Sequence, residues 1–190
     1  NGDGKSDLLW RNTSGAVSVW SMDGANQTVS RDYGPFNGWS LLGKVSDFNG
    51  DGKSDLIWQK NDGAVSVWTM DGANVTATRD YGPYNGWSLL NSSSDFNGDG
   101  RSDLIWQRTT GAVSVWTMDG ADMTAARDYG PYAGWSLPNS SSAFNGDGKS
   151  DLLWRNSDGG LAIWAMDGTH TLAGATDYLG IIPTSFTILS

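Results

Sequence analysis

The stretch DFNGDGKSD, residues 47–55, sets acidic and amide side chains on alternate positions and returns at a spacing of 48 residues along the chain. Counted from Asp47, it offers a carboxylate at the first position, an amide at the third (Asn49), a carboxylate at the fifth (Asp51) and another at the ninth (Asp55), with Gly52 placed for the sharp turn between them. A hard divalent cation takes about six to eight oxygens, and this segment supplies four side chains plus a backbone carbonyl, expected at Lys53. The Lys53 side chain itself can point to water. A helix-loop-helix calcium hand needs a bidentate Glu at the twelfth position, and Trp58 stands there. The flank DLIWQ is short and apolar, so a strand rather than a helix follows. Asp, Asn and Gly also make tight turns without a metal, but three carboxylates so close together repel one another unless a cation lies between them.

The copies are not equivalent. Those at Asp47–Asp55 and Asp95–Asp103 are complete, whereas the fourth has Ala143 at its first position and is expected to bind more weakly. The first copy begins at Asn1, leaving Asn1, Asp3 and Asp7 as side-chain donors. A cation there needs a ligand from water or another segment.

Composition narrows the fold. All 21 acidic residues are Asp, and the chain carries 26 Gly. Helices prefer Glu to Asp and tolerate Gly poorly, so strands joined by tight turns are expected. No apolar run is long enough for a membrane-spanning helix. The formal net charge of -9 disfavours nucleic acid, which needs a basic footprint. Zero cysteines removes disulfides, zinc-thiolate sites and thiol nucleophiles. Calcium loops of modest affinity fill most readily outside the cytosol, which favours a secreted or extracellular setting, with the periplasm and the cell surface as variants. Sequons at Asn12, Asn26, Asn74, Asn91 and Asn139 are weak evidence of glycosylation in a chain so rich in Asn, Ser and Thr.

Repeats run over 1–48, 49–96, 97–144 and 145–190, and the middle two differ at only ten of 48 positions. Each unit carries four strand-like runs, seen in the second as DLIWQ, AVSVWTM, VTATRDY and GWSLLNSSSDF. Four strands in such a unit is the size of one propeller blade. Asn61-Asp62-Gly63 and Asp71-Gly72 are hairpin signals between the first three runs. Apolar residues fill successive positions of AVSVWTM, as in strands covered on both faces by neighbouring sheets. The expectation is an all-β propeller, four four-stranded blades per chain. The ending Phe186-Thr187-Ile188-Leu189 aligns with WSLL, so it reads as a spare inner strand. It could close a ring within one chain or join two chains into an eight-bladed ring, and the reading leans towards a homodimer or higher homo-oligomer.

DFNGDGKSDLIW resembles the FG-GAP or VCBS-type repeat of integrin alpha-chain propellers, of many secreted bacterial proteins and of a fungal integrin-like lectin, and the resemblance covers the whole chain. It implies calcium as the cofactor. The implied ligands are Asp47, Asn49, Asp51, the Lys53 carbonyl and Asp55, then Asp95, Asn97, Asp99, the Arg101 carbonyl and Asp103. Departures at Ala143 and at the first copy put in doubt the outer sets, Asn145, Asp147, Lys149 and Asp151, and Asn1, Asp3, Lys5 and Asp7. Fold and metal are implied far more strongly than activity.

In a meander blade the calcium loops share a face with the MDGA turns, and the opposite face carries the RDYGPYNGW connections. Those connections combine a cation, a carboxylate, tyrosine and tryptophan, the mixture expected of a sugar or peptide pocket. The candidates are Arg79, Asp80, Tyr81, Tyr84 and Trp87, with Arg31, Asp32, Tyr33 and Trp39 in the first copy and Arg127, Asp128, Tyr129, Tyr132 and Trp135 in the third. The competing reading makes Arg79 and Asp80 a rim ion pair and Tyr81 and Trp87 gap fillers. Trp58 and Trp68 lie inside strands and read as packing. The chain therefore reads as a non-catalytic, calcium-stabilised lectin with several similar sites and a glycan or extracellular protein as partner. The alternative is an adhesive or self-assembling repeat protein. An enzyme is disfavoured, because Cys and Glu are absent and the lone His170 sits in the least repetitive segment.

Overall fold

The computed structural model of the chain describes residues 1–188, which form fifteen strands and no helix. Two compact units emerge, Asn1–Asn85 with Gly120–Asp122, and Gly86–Asp119 with Met123–Ser190. In the first, β1 (Leu8–Arg11), β2 (Val17–Asp23) and β3 (Asn26–Tyr33) make a three-stranded antiparallel sheet. Beside it in sequence, β4 (Trp39–Ser46), β5 (Asp55–Lys60), β6 (Val65–Asp71) and β7 (Asn74–Tyr81) pair in chain order as a four-stranded meander. The second unit holds two more such meanders. One comprises β8 (Trp87–Ser94), β9 (Asp103–Arg108), β10 (Val113–Asp119) and β11 (Asp122–Tyr129); the other comprises β12 (Trp135–Ser142), β13 (Asp151–Asn156), β14 (Gly160–Asp167) and β15 (His170–Ile181).

These sheets are the expected propeller blades, with the acidic loop joining the first strand of a blade to its second. The turns form as their residues dictate. In the β5–β6 hairpin, Gly63 N–H donates to the Lys60 carbonyl at 2.9 Å and Ala64 N–H to Asp62 Oδ1 at 3.0 Å. The two middle strands of a blade are buried almost throughout, while β7 and β11 are exposed along most of their length. Successive apolar residues in VSVWTM are thus used on both faces. Inside the second unit, Phe96, Ile105, Val115, Leu152, Trp154 and Met166 from both blades share one core.

The ending departs from the expectation of a spare strand. Phe186–Ile188 form no strand, and Leu189 lies outside the described residues. Pro183 follows β15 and cannot donate to a ladder, so the last stretch of chain leaves the sheet.

The second residue of each acidic loop is a plug whose burial differs between copies. Phe48 and Phe96 are fully buried, each with its carbonyl accepting a turn N–H, from Gly120 and Gly168 respectively, both at 2.8 Å. Phe144 is 43% exposed. Truncating Phe96 to Ala should therefore cost about 3–5 kcal/mol, the usual range for a fully buried aromatic. The same change at Phe144 should cost about 1 kcal/mol or less. Denaturant midpoints at unchanged slope measure both.

Candidate functional site: acidic loops and an aromatic pocket

The ninth loop residue is the anchor of each blade. Asp55, at the start of β5, is buried; its Oδ1 accepts the Met70 N–H at 2.7 Å and its Oδ2 the Phe48 N–H at 2.7 Å. Asp103 does the same with Met118 and Phe96, both at 2.8 Å, and Asp151 with Met166 at 2.9 Å and Phe144 at 2.8 Å. Asp7 accepts from Met22 at 2.9 Å and, on its other oxygen, from the Asn1 backbone nitrogen at 2.7 Å. One carboxylate thus ties the loop to the second residue of the loop and to the strand behind it. Burial pushes the Asp55 carboxyl up to about 6, with Asp47 and Asp51 adding repulsion and the two N–H donors opposing both. Burial likewise pushes Asp103 up to about 7.

The rest of the loop is a run of Asx turns. Asp47 Oδ1 accepts the Gly50 N–H at 2.7 Å and Oδ2 the Gly52 N–H at 2.8 Å, while Asn49 Oδ1 takes the Asp51 N–H at 3.0 Å and Asp51 Oδ1 the Lys53 N–H at 2.9 Å. Asp95, Asn97 and Asp99 repeat the pattern. In the fourth loop Asn145 and Asp147 keep their turns, and Ala143 leaves only a 3.3 Å backbone bond to Gly146 where the other loops have a carboxylate. In the first, Asn1 and Asp3 do likewise. The donors are all hard oxygens with lone pairs to spare, which suits calcium. Among the described residues, no three acidic or histidine side chains converge as a metal cluster. A cation would have to draw in the first, third and fifth side chains around the buried ninth.

The seventh residue, partly exposed, reaches an aspartate of the neighbouring turn. Lys53 Nζ meets Asp71 of the MDGA turn at 2.5 Å, Lys5 meets Asp23 at 2.6 Å and Arg101 meets Asp119 at 2.8 Å; Lys149 pairs with Asp167. The charge offered by the loop's own carboxylates and the turn's Asp holds the cation across the blade end, which places loop and turn together as expected. The aliphatic stem also has work to do. It lies so close to the preceding loop that a Cβ on Gly98 would sit 3.1 Å from Lys149 Cγ, and one on Gly2 would sit 3.2 Å from Lys53 Cγ. Both glycines have φ near +76° and admit no side chain. Within the second unit the eighth residue completes a latch: Ser150 N–H donates to the Asp95 carbonyl at 2.6 Å, and Asp95 N–H donates to Ser150 Oγ at 2.9 Å. The third acidic loop is thus fastened to the fourth.

The RDY residues separate by strand alternation. On β3, Arg31 Nε donates to Asn74 Oδ1 at 2.6 Å and Tyr33 O–H to the Ala73 carbonyl at 2.6 Å, a strap from one blade to the next. Tyr129 O–H repeats it to the Thr169 carbonyl at 2.6 Å, with the Arg127 guanidinium over the Tyr129 ring. In the first unit, Arg79 pairs with Asp122, and Tyr81 O–H donates to the Ala121 carbonyl at 2.7 Å. Arg79 therefore pairs away from Asp80, and the expected rim ion pair is replaced by a strap. Asp32, Asp80 and Asp128 remain exposed. Tyr84 and Tyr132 are also exposed at 37% and 38%, and Tyr132 sets its ring perpendicular to those of Trp154 and Trp164. Trp87 carries Arg108 over its ring at 5.8 Å, Trp39 carries Lys60 at 5.9 Å, and Trp135 packs against the second unit's core.

A cavity of about 240 Å³ opens where Phe36 and Trp39 meet the β5–β7 face, lined by Trp58, Ser66, Trp68, Thr78 and Asp80. Phe36, Trp58 and Trp68 form a continuous aromatic wall, with ring centroids 5.3–5.6 Å apart. Ser66 Oγ accepts the Trp68 indole N–H at 2.9 Å and fixes that ring. Trp58 and Trp68, which read as packing in the sequence, are walls of this cavity as well. The signal for Trp68 is the S-x-W spacing at Ser66 and Trp68, repeated at Ser18 and Trp20 and at Ser114 and Trp116 with the same hydrogen bond.

Because the folded values of Asp55 and Asp103 lie above the ordinary 3.8, the metal-free fold binds more protons than the unfolded chain between about pH 4 and 7. Stability without calcium should then fall as pH rises through that window, by about 3 kcal/mol for an offset from 3.8 to about 6. Thermal melts in a chelator should show the fall, Asp103→Asn should flatten part of it, and added calcium should remove it by holding the carboxylates ionised. A metal-free melting temperature that rises over the same window would contradict this assignment.

Among proteins with known sequence or structure, the FG-GAP repeat family matches residues 38–68, the segment from the GW of one repeat through the acidic loop to Trp68. BamB from Moraxella catarrhalis has a structure similar to this one at 11% sequence identity and a TM-score of 0.42, over 87% of this chain and 47% of that one. This chain therefore spans less than half the length of that protein. No curated protein sequence matches it. Residues 38–68 are thus similar to an FG-GAP repeat, and the four-stranded meanders of which they form part are propeller-type blades.

Proposed function

We propose that the chain is a non-catalytic, calcium-stabilised module that binds carbohydrate. The observation that carries this reading is the cavity walled by Phe36, Trp39, Trp58 and Trp68, with Ser66, Thr78 and Asp80 as its few polar groups. Aromatic faces take the apolar face of a sugar ring, and a small number of placed hydroxyls and carboxylates orient its hydroxyls. Repetition adds to it, since weak sites on one scaffold engage a multivalent glycan together. Calcium would be held by Asp47, Asn49, Asp51, Asp55 and the Lys53 carbonyl, and by their equivalents around Asp103. There it would neutralise the loop carboxylates and stiffen the latches between loops. Calcium affinities of this loop type favour an extracellular or periplasmic setting, and among the described residues no helix is long and apolar enough to cross a membrane.

A glycan array probed with the calcium-loaded chain tests this directly. Binding should appear on at least one glycan class, and replacing Trp39, Trp87 and Trp135 together by Ala should weaken it by about tenfold or more, about 1.4 kcal/mol. A blank array, or binding untouched by the triple replacement, would sink the reading.

Adhesion or self-association is the second reading. It is favoured by exposed Leu8, Leu9 and Trp10 on β1 of the first unit and, separately, by exposed Tyr178, Leu179, Ile181 and Phe186 in the second. Sedimentation mass over a range of concentrations checks it: a discrete dimer or a concentration-dependent ladder supports it, and a monomer throughout removes it.

A further inference from the structure

The aromatic cavity carries a carboxylate that none of the described residues pairs with. Ser66 and Trp68 on β6 stand directly opposite Asp80 and Thr78 on β7, so these four side chains share one face of the sheet. Alternation sends Arg79 and Tyr81 to the other face, where they are spent on Asp122 and Ala121. Asp80 is left at the cavity rim, and among the described residues it makes no ion pair and no side-chain hydrogen bond. The same separation occurs at the other two copies of RDY. Arg31 bonds to Asn74 and Arg127 lies over Tyr129, while Asp32 and Asp128 are exposed without a described partner. No lysine or arginine lines the cavity. Two of the three neighbouring arginines, Arg31 and Arg79, are committed to straps instead, and Arg127 lies over the Tyr129 ring.

From this arrangement we infer that the carbohydrate carries a positive charge: the ligand class is an amino sugar with a free ammonium group. Its ring lies against the aromatic wall and its ammonium meets the Asp80 carboxylate. This rests on the carbohydrate reading above and narrows it. Aromatic faces attract a cation as well as an apolar sugar face. The chain's net charge of -9 draws cationic oligomers to it from solution. An exposed carboxylate contributes modestly at one site, and an oligomer bearing one ammonium per ring gathers that contribution at several sites.

The test titrates the calcium-loaded chain calorimetrically at about pH 6 with a glucosamine oligomer and with its N-acetylated counterpart of equal length. At that pH most of the oligomer's amines carry a proton, although they are weaker bases than an α-amino group. The glucosamine oligomer should bind at least about tenfold more tightly. Raising ionic strength from about 0.05 to 0.5 M should weaken it, as screening requires. The variant Asp32→Asn/Asp80→Asn/Asp128→Asn should lose most of the preference. These aspartates are exposed and isosterically replaced, so an unchanged melting temperature confirms that the fold is intact. Equal or tighter binding of the N-acetylated oligomer, or a triple variant with undiminished preference, overturns the inference and leaves the carbohydrate reading standing. Failure of both oligomers overturns the inference too. If the array is also blank, the carbohydrate reading falls with it.

Discussion

A buried carboxylate that accepts two backbone N–H groups is the constraint on which each blade depends. Asp55, Asp103 and Asp151 each clamp the acidic loop to the strand beyond it through a methionine N–H and a phenylalanine N–H. Replacing such a group by a neutral apolar one would orphan two buried donors, and a buried polar group without a partner is costly. Keeping it ionised has a cost as well, visible in the upward displacement of Asp55 and Asp103 by burial and by neighbouring carboxylates. The loop is therefore a structural element under electrostatic load. A cation held there, as proposed above, would relieve that load.

The load is shared between neighbours. Ser150 closes two hydrogen bonds on the backbone of Asp95, Lys149 lies across Gly98, and the Phe96 carbonyl takes the Gly168 N–H. Whatever stiffens the loop at Asp95 also stiffens its junction with the following blade. Repeat proteins gain much of their stability from such nearest-neighbour interfaces, since no single sheet buries both of its faces. The buried Phe48 and Phe96 belong to the same device, because each plugs the space beneath a loop that another turn then caps.

The second consequence concerns the RDY segment, where strand alternation sorts three adjacent side chains into two jobs. Arginine and tyrosine, two residues apart, share one face and reach the next turn. The aspartate between them faces the aromatic side. At Arg79, Asp80 and Tyr81, a strap and one side of an aromatic cavity are thus encoded in three consecutive residues. The face of the strand on which each residue falls decides which of the two roles it takes.

Much of this was legible in the sequence. The 48-residue recurrence of DFNGDGKSD, the absence of Glu and the alternating hairpin signals determine a β-propeller blade with an acidic loop between its first two strands, because spacing, turn chemistry and helix propensity are local properties. The positions of the loop donors follow in the same way. Other features were decided only in three dimensions. That Lys53 spans to Asp71 while its stem shields Gly2, that Arg79 turns from Asp80 to Asp122, and that Trp58 and Trp68 wall a cavity are outcomes of which blade faces which. The repeat places an Arg beside an Asp and a Trp inside a strand, and these are the same letters whether the residues pair, pack or bind. Long-range packing selects among them, since a side chain's partner depends on what the neighbouring sheet presents and not on the residues beside it in the chain.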